Sequence, residues 1–253
     1  MTASLPAALR PLVAEPARSA ILLDFDGTLS EIVARPELAA PVEGARETLR
    51  DLARTFGVVA LISGRPTEDL RALVAVETVR YVGLYGLEGE LEGRVPEAVH
   101  ASARDAAQLV AGAWVEDKGG SVAIHYRQAD DSDAARVAIL GAVSSGVPEG
   151  WEAIEGKMVV ELVPAGRARK GGAVRQLIDD LAPAAALYAG DDLADLEAFE
   201  VLGALSDHDG FHAVRIAVQS SETPPELTER AELTVDGPAG IVDLLRALVA
   251  AVA

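Results

Sequence analysis

Cysteine is absent from the 253-residue sequence. Its absence removes disulfides, thiolate catalysis and cysteine-ligated zinc or iron–sulfur centres together, and it suits a reducing cytoplasm. Basic residues are scarce: 22 Lys and Arg stand against 40 Asp and Glu, for a formal net charge of −18. Binding along a nucleic-acid strand needs a basic face to neutralise phosphates, so the composition argues against that class. A small phosphorylated ligand needs only a local basic cluster. No apolar run reaches the roughly 20 residues that span a bilayer. Residues 1–20 hold no uninterrupted apolar run after a basic start, so they read as a soluble lead-in. There is no internal repeat and no low-complexity linker. What remains is half hydrophobic, and long enough for one large domain or two modest ones with a real core.

Strand and helix signals alternate along the chain. The apolar run at 20–23 ends in Asp24-Phe25-Asp26-Gly27-Thr28, as a buried strand does when it delivers polar residues at its C-terminal tip. The spacing of Val42, Ala45, Leu49, Leu52 and Ala53 predicts a helix over 41–55. A second strand over 58–62 ends at Ser63-Gly64-Arg65-Pro66, and Pro66 suits the first turn of a helix continued by Leu70 and Leu73. A third strand is expected over 81–85. This order predicts a parallel sheet with helices on both faces. Near Gly93 the rhythm changes: a helix over 96–113, strands over 114–117 and 122–127 flanking the turn Lys118-Gly119-Gly120-Ser121, a helix over 131–144, and strands at 151–154 and 158–163. From Lys170 the first rhythm resumes, with a helix to 181, a strand over 186–189 ending at Gly190-Asp191-Asp192, a helix to 202, strands near 214–218 and 233–235, and a helix from 240. The expected fold is α/β: a Rossmann-like parallel-sheet core over 1–95 and 165–253, interrupted by an α+β cap over 96–164.

In an open parallel sheet, ligands bind at the carboxyl ends of the strands. Three expected strands place unusual residues there: Asp24 and Asp26; Ser63 and Arg65; Asp191 with Asp192 and Asp195. Lys170 opens the helix before the strand that bears Asp191. Gathered carboxylates repel unless a cation holds them, and hard oxygens favour Mg²⁺ or Ca²⁺. An acidic metal site with one lysine and one hydroxyl suits phosphoryl transfer, because cation and lysine offset phosphate charge while a carboxylate attacks phosphorus. Each motif alone also has a plain structural reading: an Asx turn, a helix N-cap, and an acidic first helical turn. Their order at strand tips, with Lys170 between the second and third, favours a common site. Asp207-His208-Asp209-Gly210-Phe211-His212 reads as a loop signal rather than a second metal centre.

The order Asp24-Phe25-Asp26-Gly27-Thr28-Leu29, Ser63-Gly64-Arg65, Lys170-Gly171 and Gly190-Asp191-Asp192 with Asp195 resembles the haloacid dehalogenase phosphatase superfamily. Within it the chain resembles the trehalose 6-phosphate phosphatases. The supporting segments are Gly83-Leu84-Tyr85-Gly86-Leu87-Glu88, the stretch holding Lys118, Ser121, His125, Tyr126 and Arg127, and Gly156, Lys157, Glu161 and Pro164. Tyr85 stands where that family tends to carry His, and Ala194-Asp195-Leu196 replaces its common Thr-Asp-Glu. The resemblance implies Asp24 as nucleophile and Asp26 as general acid and base. It implies Mg²⁺ held by Asp24, the backbone carbonyl of Asp26 and Asp191, with Asp192 or Asp195 nearby. Ser63 and Lys170 would grip the phosphate, and Arg65, Lys118, Arg127, Lys157 and Glu161 would contact the substrate.

The resulting expectation is a cytoplasmic, monomeric, Mg²⁺-dependent enzyme that hydrolyses a sugar phosphate, with no nucleic acid or membrane as partner. Alternatives within the chemistry are a phosphatase of sucrose phosphate or a glycosyl-phosphoglycerate, and a phosphomutase. A receiver-type phosphate switch also clusters Asp, Ser or Thr, and Lys on a parallel sheet. It needs neither the second Asp of the Asp24–Asp26 pair nor an inserted module of about 70 residues.

Overall fold

A computed structural model of the chain describes residues 5–86, 95–166, 169–206 and 210–252. In chain order the elements begin with α1 (Arg10–Ala14), β1 (Ser19–Leu23), α2 (Ala45–Thr55), β2 (Val58–Ile62), α3 (Thr67–Val74) and β3 (Arg80–Val82). Next come α4 (Glu97–Gln108), β4 (Trp114–Asp117), β5 (Val122–His125), α5 (Ser132–Gly146), β6 (Trp151–Gly156) and β7 (Val159–Pro164). The chain continues with α6 (Lys170–Leu181), β8 (Ala185–Gly190), α7 (Leu193–Ser206), β9 (His212–Gln219), α8 (Pro225–Glu229), β10 (Leu233–Asp236) and α9 (Gly237–Ala250). They fall into two compact units, Met1–Gly86 with Arg169–Ala253, and Leu87–Ala168.

The first unit is built around β1 and β8, two strands buried along their whole length. In β1, Ile21 and Leu23 pack on one face with Leu61 of β2 and Leu187 of β8, under α2 and α9 through Leu49, Leu52, Ile241 and Leu245. Ala20 and Leu22 pack on the other face with Ala60, Ala186 and Tyr188, under α6 and α7 through Val174, Leu177, Phe199 and Leu202. Alternation sends successive side chains to opposite faces, so a strand covered on both sides must be apolar throughout. Among the described residues the sheet has six strands in the order β10-β9-β8-β1-β2-β3, all parallel. The order runs outward from β1 in both directions, so the tips of β1 and β8 flank the topological switch point where such sheets bind ligands.

In the second unit, the four described strands form an antiparallel sheet in the order β4-β5-β7-β6. One face, with Val122, Ile124, Val160 and Leu162, is buried against Val99 and Ala103 of α4 and Ile139 and Val143 of α5. The opposite parity carries Ala123, His125 and Glu161, with Ala123 facing Glu161 across the β5–β7 ladder.

Several boundaries differ from the sequence expectation for local reasons. Helix α2 begins at Ala45 rather than at 41, because Gly44 adopts φ 78 and its carbonyl receives the Thr48 N–H. Strand β3 stops at Val82 rather than continuing to 85: the Gly83 N–H goes to Thr67 Oγ1 and the Leu84 N–H to Arg65 O. The lead-in is part of the fold, since Leu9 and Leu12 are fully buried in the core. No helix among the described residues is long and apolar enough to cross a membrane.

Candidate active site

Asp24 sits where β1 ends. Its N–H continues the ladder to Ala189 O of β8 at 2.9 Å, so backbone pairing places this carboxylate at the switch point. A tight loop follows, with the Leu29 and Ser30 N–H groups returning to Phe25 O and Gly27 at φ 83. That φ favours glycine, and space enforces the choice, because a Cβ at residue 27 would lie 1.9 Å from Asp191 Oδ2. The loop after β1 thus lies directly against the carboxylate after β8.

Lys170, the first residue of α6, is 5% exposed. Its Nζ lies 2.7 Å from Asp24 Oδ1 and 2.7 Å from Asp195 Oδ1. Burial pulls its pKa down, but the Asp195 and Asp24 carboxylates more than offset that and hold the ammonium protonated well above the usual lysine range. For Asp24 the balance falls the other way. Burial pushes its carboxyl well above the ordinary value, Lys170 opposes the rise, and the charges of Asp195 and Asp191 add to it.

Asp195, fully buried in the first turn of α7, is saturated. Its Oδ1 accepts from Lys170 Nζ and, at 2.6 Å, from the Tyr188 hydroxyl; its Oδ2 accepts the N–H groups of Asp191 and Asp192, each at 2.9 Å. A carboxylate offers about four lone-pair sites, and all are engaged. Burial, then the neighbouring Asp195 charge, raises the Tyr188 pKa well above its ordinary value, so the phenol is a neutral donor. Asp195 therefore ties the lysine, a core tyrosine and the turn after β8 into one strut.

Oxygens of Asp24, Asp191 and Asp195 all lie within 4.8 Å of one another, in a dry setting. Three carboxylates beside one ammonium leave a formal charge of −2, which suits a divalent cation with a preference for hard oxygens. With Asp195 committed to four donors, Asp24 and Asp191 are the carboxylates suited to ligation. The raised Asp24 pKa has a measurable consequence. Its contribution to stability is complete below the unfolded carboxylate value and is lost as the pH rises through the folded value. In chelator, this group should lower the melting temperature as the pH climbs from the acid range toward neutrality, and a divalent cation at neutral pH should restore it. A cation that leaves the melting temperature unchanged would show that the cluster is not a metal site.

Asp26 and Arg65 form a bidentate pair, Nε to Oδ2 and Nη2 to Oδ1 at 2.7 Å each, and the guanidinium lies 5.6 Å from the centre of the Phe25 ring. Ser63 is 2% exposed, and its Oγ accepts the Arg65 N–H at 3.2 Å. Asp192 is half-buried, its Oδ1 receiving the Leu193 N–H at 2.6 Å. After β3 the backbone turns through Leu84, Tyr85 and Gly86 at φ 45, 57 and 88. For the two residues that are not glycine this left-handed geometry costs about 1–2 kcal/mol each. The Tyr85 N–H donates to Ser63 O at 3.0 Å.

The second unit gathers other residues singled out in the sequence. Glu161, 3% exposed, accepts from Ser121 Oγ at 2.5 Å and from Lys118 Nζ at 3.2 Å. Arg127 Nη2 donates to Lys157 O at 3.3 Å. His125 stacks on Trp114 at 4.2 Å and pairs with Glu116 at 2.8 Å. Leu87, Glu88 and Asp207–Asp209 lie outside the described residues. His212, at the end of that last segment, bonds Ala8 O at 2.8 Å. Sequence reasoning passed over Tyr188. The available signal was a hydroxyl within a strand buried on both faces, where a polar atom must find a partner.

The fold is that of haloacid dehalogenase-like hydrolases, and the site lies at the expected switch point. A family model described as Trehalose-phosphatase matches residues 22–232. The chain belongs to the trehalose-phosphatase family. It is 39% identical over 206 residues to an uncharacterized glycosyl hydrolase of Mycobacterium tuberculosis, covering 73% of this chain and 15% of that protein. It is 34% identical over 204 residues to a trehalose-phosphate phosphatase of Mycobacterium ulcerans, covering 74% of this chain and 52% of that protein. The chain thus spans about half the length of the trehalose-phosphate phosphatase it matches. The solved C-terminal domain of C. albicans trehalose-6-phosphate phosphatase shares the fold, with a TM-score of 0.81 at 22% identity and 99% of both chains covered.

Proposed function

We propose that the chain is a Mg²⁺-dependent phosphatase that hydrolyses trehalose 6-phosphate through an aspartyl-phosphate on Asp24, working on a diffusible sugar phosphate in the cytoplasm. The observation that carries this reading is the Lys170 ammonium held between Asp24 and Asp195 at the switch point, in a chain of the trehalose-phosphatase family. An Asp24 oxygen attacks phosphorus, and the bond from phosphorus to the sugar oxygen breaks as Asp26 gives that oxygen a proton. Water then attacks phosphorus and gives its proton to Asp26, while the bond to Asp24 breaks. Because a carboxyl that carries a proton cannot keep both bonds to Arg65, the bidentate pair opens at one oxygen during the cycle. Ser63 and Lys170 hold the phosphoryl oxygens, and Asp195 positions Lys170 and the turn bearing Asp191. Asp24, Asp191 and the backbone carbonyl of Asp26 would hold Mg²⁺, with Asp192 nearby, and the ion would supply positive charge that favours the ionised form of Asp24.

Residues 96–164 act as the cap that sets substrate specificity, with Lys118, Arg127, Lys157 and Glu161 as its substrate contacts. The test is steady-state phosphate release from trehalose 6-phosphate, sucrose 6-phosphate and glucose 6-phosphate, with isomerised sugar phosphate counted separately. Trehalose 6-phosphate should show the highest kcat/KM. A preference for either comparator would sink the substrate assignment and leave the chemistry standing; isomerisation without net release would make the protein a mutase.

A further inference from the structure

Tyr85 follows β3, and the structure takes unusual steps to place it. Three consecutive residues, Leu84, Tyr85 and Gly86, hold positive φ, a conformation that leucine and tyrosine seldom adopt. Strain of this kind persists only where the surroundings over-determine it, and here they do. The Ser63 N–H goes to Val82 O, the Leu84 N–H to Arg65 O and the Tyr85 N–H to Ser63 O, so the turn after β3 is laced to the turn after β2. That lacing lays the phenol directly over Gly64: a Cβ there would lie 2.4 Å from the Tyr85 hydroxyl oxygen and 2.7 Å from Cζ. The residues flanking Gly64 are Ser63, proposed to hold phosphoryl oxygens, and Arg65, the partner of Asp26. The same turn packs on α6: a Cβ at Gly86 would lie 3.4 Å from Ala173 Cβ, on the helix that Lys170 opens. The hydroxyl therefore lies over the serine turn, on a loop packed against the helix that Lys170 opens.

We propose that Tyr85 is a catalytic residue whose hydroxyl donates a hydrogen bond to a phosphoryl oxygen of the substrate, as a third side-chain donor beside Ser63 and Lys170. This rests on the phosphatase reading. A phenol suits the place because its hydroxyl can donate a hydrogen bond without adding a second cation beside Lys170. Gly64 follows from the same geometry, since any side chain there would displace the hydroxyl.

The test compares the parent protein with Tyr85→Phe, which deletes only the hydroxyl, and Tyr85→His, which restores a donor. Each is assayed with Mg²⁺ on trehalose 6-phosphate and on an aryl phosphate, and each is titrated with inorganic phosphate as competitive inhibitor. Tyr85→Phe should weaken inorganic phosphate and lower kcat/KM on both esters alike, by roughly ten- to a hundredfold, as expected for a hydrogen bond to a charged group. Its melting temperature should be unchanged, and Tyr85→His should recover most of the loss. Unchanged phosphate inhibition in Tyr85→Phe, or a loss confined to trehalose 6-phosphate, would overturn the assignment and, in the second case, put the hydroxyl on the sugar. Failure of both variants to fold would assign Tyr85 to architecture and overturn it too. A parent protein that releases phosphate from neither ester overturns the phosphatase reading first, and this inference with it.

Discussion

Asp24→Asn should leave no measurable turnover, a fall of about 10⁴–10⁶ on the scale of other deleted nucleophiles, in a protein no less stable than its parent. Both halves follow from the same surroundings. The amide cannot attack phosphorus, so rapid quench and intact-protein mass measurement should find no phosphoenzyme. Yet the carboxylate it replaces is buried beside Asp191 and Asp195, and burial already pushes its pKa up. Removing that charge relieves repulsion, while Lys170 keeps Asp195 as its partner at 2.7 Å. In chelator at neutral pH the variant should therefore melt at or above the parent temperature, and the stabilisation conferred by a divalent cation should shrink. Asp26→Asn is the contrast: it retains Asp24 and should lose about 10²–10⁴ on trehalose 6-phosphate, the usual contribution of a general acid–base group. On an aryl phosphate, whose leaving group hardly needs a proton, it should accumulate the phosphorylated form. Asp24→Asn turnover within tenfold of the parent would exclude Asp24 as nucleophile and favour direct attack by water.

Asp195→Ala should fail in the opposite way, through stability. Its carboxylate accepts from Lys170, Tyr188 and the N–H groups of Asp191 and Asp192. Truncation leaves a buried ammonium with one partner fewer, and deprives a fully buried phenol and two backbone donors of their acceptor. Breaking a buried charged network costs about 3–5 kcal/mol. For a chain of this size that corresponds to a melting temperature lower by roughly 6–20 °C. Asp192→Ala is the comparison, because its carboxylate caps the start of α7 at the Leu193 N–H; about 1 kcal/mol is expected. The check is a pair of denaturant curves alongside thermal melts. An Asp195→Ala protein that melts within a few degrees of its parent, yet has lost cation stabilisation, would make Asp195 a metal ligand rather than a strut.

The contrast between these variants marks where sequence reasoning stops. Three apolar runs ending in Asp24, Ser63 and Gly190 were legible without coordinates, because a strand buried on both faces cannot hide its period or its polar tip. The antiparallel module was legible too, from the two hairpins at 114–127 and 151–163, since turn chemistry and alternation are local. Which carboxylate does what was not. Asp191, Asp192 and Asp195 look alike in a string of letters. Only the α7 turn, which aims Asp195 back at two N–H groups while β8 delivers the Tyr188 hydroxyl and α6 the lysine, separates the strut from its neighbours. The same holds for residue 85. Its periodicity reads as the end of a strand, whereas hydrogen bonds from two other loops claim its backbone and force a left-handed turn. Sequence by itself determined the elements, their polar tips and the family, because those depend on neighbours within a few positions. The tertiary structure alone decided the partners of each charge, because the partners lie up to 163 residues apart in the chain and meet only when the parallel sheet closes around β1.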